Sequence, residues 1–214
     1  MPDSLTARDE ILSRIKRNTA RAEEAQGEWT AIPRFFRRDA ILNPEERVDL
    51  FSERLRDYGV GVHESPQEQL RSVISKVLVE RRKKTIVVPP AWPDDRIPIG
   101  VEAIRDEVLS YDALDHSEGI LTACTVAIAL TGTIVLRGGP LEGRRALTLI
   151  PDYHLCIVEA DQIVGLVPEA IEKLGAVSAA PLTFISGPSA TADIEMIRVQ
   201  GVHGPRTLDV VIVS

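Results

Sequence analysis

Along most of the chain, apolar positions come in short bursts that alternate between two periods. Val48, Phe51 and Leu55 recur at three- to four-residue spacing, the mark of one helix face. Asn43, Pro44 and Glu46 precede them as N-cap, first-turn proline and capping-box carboxylate, and Gly59 supplies the stop. Val60 to His63 then reads as a short strand. Ser65, Pro66 and Glu68 repeat the start signal before Leu70, Val73, Ile74, Val77 and Leu78, which predicts a second helix. Thr85 to Val88 is rich in β-branched residues and closes on Pro89 and Pro90, as a buried strand ended by a breaker would. Alternating strands and helices predict an α/β fold with a mainly parallel sheet and helices on its faces.

The pattern changes from Ile120. Thr125 to Leu130 and Thr133 to Leu136 flank Thr131-Gly132, which predicts a hairpin. Leu155 to Val158 reads as a strand, and Asp161 caps a helix carrying Ile163, Leu166, Val167, Ile171 and Leu174. Leu182 to Ile185 and Leu208 to Val213 complete the strands. The first segment is different. From Ser4 to about Glu24, Leu5, Leu12 and Ile15 give only a thin apolar stripe among many charges, so a helix here is marginal alone. Gly27 to Arg38, with Trp29, Pro33, Phe35 and Phe36, reads as an irregular linker. These shifts divide the chain into an N-terminal helical arm with its linker, residues 1–38, and an α/β domain, residues 39–214.

Composition narrows the function classes. Only 4% of the 214 residues are aromatic while 44% are hydrophobic, so branched aliphatics carry the packing. A net charge of −7 argues against nucleic-acid or anionic-membrane binding. Two cysteines, Cys124 and Cys156, are too few for a secreted disulfide framework, and no run of about 18 apolar residues predicts a membrane span. With no signal-peptide pattern, the expected location is cytoplasmic.

Three segments carry candidate chemistry. Phe184 and Ile185 run into Ser186-Gly187-Pro188-Ser189-Ala190-Thr191, followed by the carboxylates Asp193 and Glu195. Ligands in open α/β sheets collect beyond strand carboxyl ends, where Gly187 admits close backbone approach and Ser189 and Thr191 can bind anionic oxygens. The same residues also suit a plain strand-to-helix turn. In the second segment, Gly201 and Gly204 flank His203, holding an imidazole at a loop tip as acid, base or anion ligand, or marking an ordinary Gly-Pro turn. The third comprises Thr131, Gly132 and Thr133, then Arg137-Gly138-Gly139-Pro140, then Arg144 and Arg145, whose guanidiniums match a small carboxylate or a solvated loop. No P-loop and no G-x-G-x-x-G fingerprint occurs. Asp152, His154 and Cys156 would share one strand face, but without a further ligand no metal site is expected.

Taken together, Thr131-Gly132-Thr133-Ile134, Leu149-Ile150-Pro151-Asp152-Tyr153-His154, Ser186 to Glu195, and Gly201-Val202-His203-Gly204-Pro205 resemble the lactate-utilisation protein C family, also described as the LUD-domain family. The similarity is expected from roughly residue 40 onward. It implies a three-layer α/β/α sandwich similar to the sugar-phosphate isomerase and coenzyme A transferase fold, and to 5-formyltetrahydrofolate cyclo-ligase. It also implies a role in oxidising L-lactate to pyruvate beside two iron–sulfur partner proteins.

The resemblance transfers no residue roles. Catalytic assignments to Asp193, Glu195 and His203, and ligand-binding assignments to Thr131, Gly132, Thr133, Arg144, Arg145, Gly187, Ser189 and Thr191, rest on local chemistry. In one reading Arg144 or Arg145 holds a lactate carboxylate while His203 takes the hydroxyl proton. In a second, the chain is a non-catalytic assembly subunit. In a third, it is an isomerase, transferase or cyclo-ligase acting on a phosphorylated or coenzyme A substrate. An iron–sulfur cluster usually takes four thiolates, so with two cysteines the chain is expected to bind no cofactor itself and to leave the clusters to its partners.

Overall fold

The computed structural model describes residues 6–19, 31–33, 35–175, 181–191, 199–200 and 204–214. The chain divides into two units, Met1–Arg37 and Arg38–Ser214. In the first, α1 (Ala7–Thr19) has an exposed apolar stripe of Ile11, Leu12 and Ile15, and Arg14 pairs with Glu10 one turn back. No described helix is long and apolar enough to cross a membrane.

The second unit begins with α2 (Pro44–Asp57), whose capping box is formed: the Asn43 side chain accepts the Glu46 N–H and Glu46 accepts the Asn43 N–H. Gly59, at φ +78°, turns the chain out of this helix into β1 (Gly61–Ser65). There follow α3 (Leu70–Glu80), β2 (Thr85–Val88), β3 (Glu102–Arg105), α4 (Tyr111–Asp115) and β4 (Ile120–Ala123). Next come β5 (Val126–Ile128), β6 (Thr133–Leu136), β7 (Tyr153–Glu159), β8 (Ile163–Val164) and α5 (Val167–Leu174). The series closes with β9 (Thr183–Ile185), β10 (Ala190–Thr191), β11 (Val199–Gln200) and β12 (Thr207–Val213).

Six strands form one sheet in the order β1-β12-β7-β4-β2-β3, and every pairing in it is parallel. Parallel sheets are stable when both faces are covered, and both are. On one face Phe51 and Leu55 of α2, with Ile134 and Leu136 of β6, pack on Cys156, Val158, Leu208, Val210 and Ile212. On the other, Leu70, Ile74, Val77 and Leu78 of α3 pack on Leu121, Leu155, Ile157, Val211 and Val213. Each large aliphatic buried this way contributes about 1.5–3 kcal/mol against exposure. The result is a three-layer α/β/α arrangement, with a small mixed sheet, β8-β5-β6-β9, set against the α2 side.

The stretch after β7 departs from the periodic reading. Ile163 and Val164 are a strand rather than the start of a helix, because they pair with Ala127 and Ile128 of β5. The helix begins only at Val167, where the Glu169 carboxylate accepts the N–H groups of Gly165, Leu166 and Ala40. Arg81 forms a two-pronged pair with fully buried Asp209, at 2.7 Å on each oxygen.

Candidate functional site

Two clefts open at opposite ends of the parallel sheet. The first, of about 250 Å³, lies at the amino ends of β7 and β12. His154 of β7 forms part of its wall, Gly204 and Pro205 enter from the approach to β12, and the β9–β10 loop supplies Ser186, Gly187 and Ser189. Arg145 and Thr148, from the single 3₁₀ turn Arg145–Thr148, complete it. Ser189 N–H donates to the Pro205 carbonyl at 2.8 Å, so the loop is tied to the β12 approach by backbone. Gly187 sits at φ +89°, and a Cβ there would meet Tyr58 Cβ at 2.7 Å; only glycine fits this turn against α2's end.

The structure separates the two neighbouring arginines. Arg144 grips Asp106 with two hydrogen bonds of 2.8 and 3.0 Å and donates also to the Leu109 carbonyl. Burial pushes the Asp106 carboxyl up, but the guanidinium and the Leu109 N–H outweigh it and hold it below the ordinary range. Arg144 is therefore committed to a structural pair. Arg145, one residue on, is exposed at the cleft and donates to Thr148 Oγ1 at 2.8 Å; among the described residues no carboxylate pairs with it. Thr131 and Thr133 form a hydroxyl chain, Thr131 Oγ1 to Thr133 Oγ1 to Ser186 Oγ, with both links at 2.7 Å. Gly132 lies in the same turn at φ +56°, with Arg54 packed where a Cβ would stand.

The cleft thus gathers Arg145, Gly187 and Ser189, with Thr133 one hydrogen bond behind Ser186. Thr191 is described only as a partner of Val199 in the β10–β11 pair. Asp193, Glu195 and His203 lie outside the described residues. The residue that pattern reading passed over is His154. Its alternation with Cys156 was the available signal, and both do share a sheet face, whereas Asp152 is at the surface with Arg206. His154 Nε2 lies 2.7 Å from Thr122 Oγ1, and both residues are buried. Among the described residues, no group of three His, Cys, Asp or Glu side chains is placed to hold a metal ion.

The second cleft, of about 570 Å³, lies at the carboxyl ends of β4 and β7. It takes in the Arg137-Gly138-Gly139-Pro140 turn. Glu142, almost fully buried, accepts the Arg137 and Gly139 N–H groups at 2.7 and 3.0 Å, and the Thr125 hydroxyl as well. Arg96 pairs with Glu159 at 3.1 Å. Cys124 reaches its wall, donating to Gln162 Oε1 at 3.3 Å.

At the amino end of the sheet, on the α3 face, Asp209 also accepts the Tyr153 hydroxyl at 2.9 Å and faces His63 Nε2 at 3.6 Å. Burial pushes its carboxyl up, but His63, Arg81 and Tyr153 together pull it down to about 2. Gly61 makes room for this pair: a Cβ there would overlap Asp209 Oδ1 at 1.8 Å.

The LUD domain profile matches residues 7–213. The chain is 39% identical to Lactate utilization protein C of Deinococcus radiodurans, across 100% of this chain and 99% of that protein. It is 26% identical to Lactate utilization protein C of Halalkalibacterium halodurans, across 92% of this chain and 94% of that one. Among solved structures, the crystal structure of a DUF162 family protein from Deinococcus radiodurans is similar with a TM-score of 0.71 at 38% identity, covering 81% of this chain and 99% of that chain. The family match reaches back to residue 7 and so takes in α1, well before the limit near residue 40 expected from motifs. On both the profile and the full-length relative, the chain belongs to the LUD domain family.

Proposed function

We propose that this chain takes part in lactate utilisation by holding a small 2-hydroxy or 2-keto carboxylate in the amino-end cleft. It serves there as a substrate-handling or assembly subunit of an L-lactate-oxidising system, beside two iron–sulfur proteins that carry the electrons. The names of the full-length relatives support the process. One observation supports the ligand class: Arg145 stands at the cleft with no carboxylate partner among the described residues, beside the hydroxyls of Thr148, Ser186 and Ser189. A guanidinium presented this way suits a bidentate carboxylate, and His154 and the hydroxyls suit the adjacent hydroxyl or keto oxygen.

A second reading draws on the other cleft. It is larger, and it lies at the carboxyl ends of parallel strands, where ligands of open α/β sheets usually bind. That placement favours a non-redox isomerase, transferase or cyclo-ligase working on a phosphorylated or coenzyme A substrate, with fold analogy as its warrant.

Calorimetric titration of the full chain with lactate, pyruvate, a sugar phosphate and coenzyme A separates the two. Binding of lactate or pyruvate is expected; binding of only the phosphorylated or coenzyme A ligands would replace the first reading with the second. In the same preparation the visible spectrum should be featureless and lactate-dependent dye reduction negligible. A stoichiometric chromophore with turnover would move the redox centre into this chain.

A further inference from the structure

The face of the sheet under α2 buries mostly aliphatic side chains, together with one file of polar and sulfur-bearing ones. His154, Thr122 and Cys156 are each buried, on the adjacent strands β7 and β4, among Leu208, Val210, Val158 and Phe51. Thr122 Oγ1 lies 2.7 Å from His154 Nε2 and donates to Cys156 Sγ at 3.9 Å. Cys124 continues the file beyond Cys156 toward Gln162. Polar groups in such a core cost stability unless satisfied, and a connected set is the arrangement that satisfies them. One end of this set is not internal: His154 belongs to the wall of the amino-end cleft, and Nδ1 has no hydrogen bond among the described residues.

We propose that His154, Thr122 and Cys156 form a buried proton relay that opens on the amino-end cleft at His154 Nδ1 and ends inside the core at Cys156. The file of contacts stands on the geometry; that the donor is the hydroxyl of a 2-hydroxy acid rests on the function proposed above. In the resting relay Cys156 is a thiolate, the Thr122 hydroxyl donates to its sulfur, and the His154 Nε2–H donates to Thr122. A ligand hydroxyl that binds at Nδ1 gives its proton there, so its O–H bond breaks and an N–H bond forms. Nε2 passes its proton to Thr122, and Thr122 passes its own to Cys156, which becomes a thiol. The net change is one proton moved from ligand to Cys156 and one negative charge moved from the sulfur to the ligand oxygen, with the imidazole again neutral in its other tautomer. No electrons are transferred.

The surroundings support a thiolate at this position rather than at its neighbour. Burial pushes the Cys156 thiol up, but the adjoining Cys124, His154 and Thr122 side chains outweigh it and bring it below the ordinary thiol range, Thr122 by the hydrogen bond it donates to the sulfur. Cys124 is driven the other way, by its bond to Cys156, by burial, and by the nearby Glu142 and Glu159 carboxylates. The cluster that holds Cys156 includes the apolar Phe51 and Leu55 of α2, Ile134 of β6, and Leu208 and Val210 of β12.

The test is an ultraviolet thiolate titration of the folded full chain, with circular dichroism confirming that each variant is folded. The wild type is expected to form one thiolate below the ordinary thiol range. Cys156→Ser should abolish it, and Cys124→Ser should retain it. Thr122→Val, nearly isosteric, should raise the midpoint by about one pH unit or more, while Thr122→Ser restores it. No thiolate below the ordinary range, or a midpoint indifferent to Thr122→Val, overturns the relay. Saturating lactate should also shift the midpoint. If lactate leaves it unmoved while the variants behave as stated, the relay stands and the lactate assignment fails.

Discussion

The two clefts face opposite ends of one sheet and handle charge in opposite ways. At the carboxyl end, two arginines meet two glutamates: Arg96 pairs with Glu159, and Glu142 is collected by backbone N–H groups beside Arg137. At the amino end, Arg145 is surrounded by hydroxyls, with no carboxylate among the described lining residues. A cleft whose charges cancel is already satisfied without a ligand, whereas an unmatched cation gains a partner only when an anion arrives. Size alone would have favoured the other choice, since the balanced cleft is the larger.

The sharpest way to break this contrast is to remove one arginine from each cleft. Arg145→Ala should weaken lactate or pyruvate binding by roughly 10- to 100-fold, as loss of a charge-assisted bidentate contact does, while Arg137→Ala changes it little. Equal losses in calorimetry would erase the distinction. Arg144 supplies the internal control. Asp106→Asn leaves its guanidinium without a charge partner and should cost about 2 kcal/mol of stability in urea unfolding, whereas Arg145→Ala should leave stability nearly unchanged.

Acid should attack the amino end through Asp209. Its carboxyl is held down at about 2 when folded, against 3.8 for the ordinary group, so its contribution is fully present above pH 3.8. That contribution, at most about 2 kcal/mol after allowance for the solvent-facing side of Arg81, is lost as pH falls toward 2. Asp209→Asn should therefore flatten the acid limb of the stability curve; an unchanged limb would assign acid sensitivity elsewhere. A smaller effect belongs to Gly187→Ala, which strains a left-handed turn against Tyr58. It should lower stability by about 1 kcal/mol and weaken carboxylate binding through displacement of Ser189, with no effect on the carboxyl-end cleft. Smallest of all, deletion of the residues before Trp29 should leave the melting temperature of the α/β unit nearly unchanged. Loss of folded protein would show that α1 belongs to the core.

Much of the scaffold was legible because its signals are local. The capping box at Asn43, the glycine stop at Gly59 and the β-branched run Thr85–Val88 each lie within a few residues of the structure they specify. Edge strand β3 was not, since Glu-Ala-Ile-Arg alternates between exposed and half-buried positions and carries no apolar run. The site was harder still. Arg144 and Arg145 are indistinguishable in sequence, and only Asp106, 38 positions away, tells them apart. His154 and Cys156 could be placed on one face from their spacing, but Thr122 joins them from a neighbouring strand 32 positions earlier. Such partners are set by sheet order, which periodicity does not encode.

That sheet order has a consequence for how the protein comes to be made. β12 lies between β1 and β7, so Gly61 near the start of the domain waits for Asp209 before it has any neighbour in the sheet. During synthesis β1 and one flank of β7 stay unpaired until β12 has left the ribosome. Pairings so distant in sequence make closure slow and leave sticky strand edges bare meanwhile. A chain halted before Thr207 cannot finish its central sheet at all, and would pass to chaperones or proteases rather than persist as a smaller folded product.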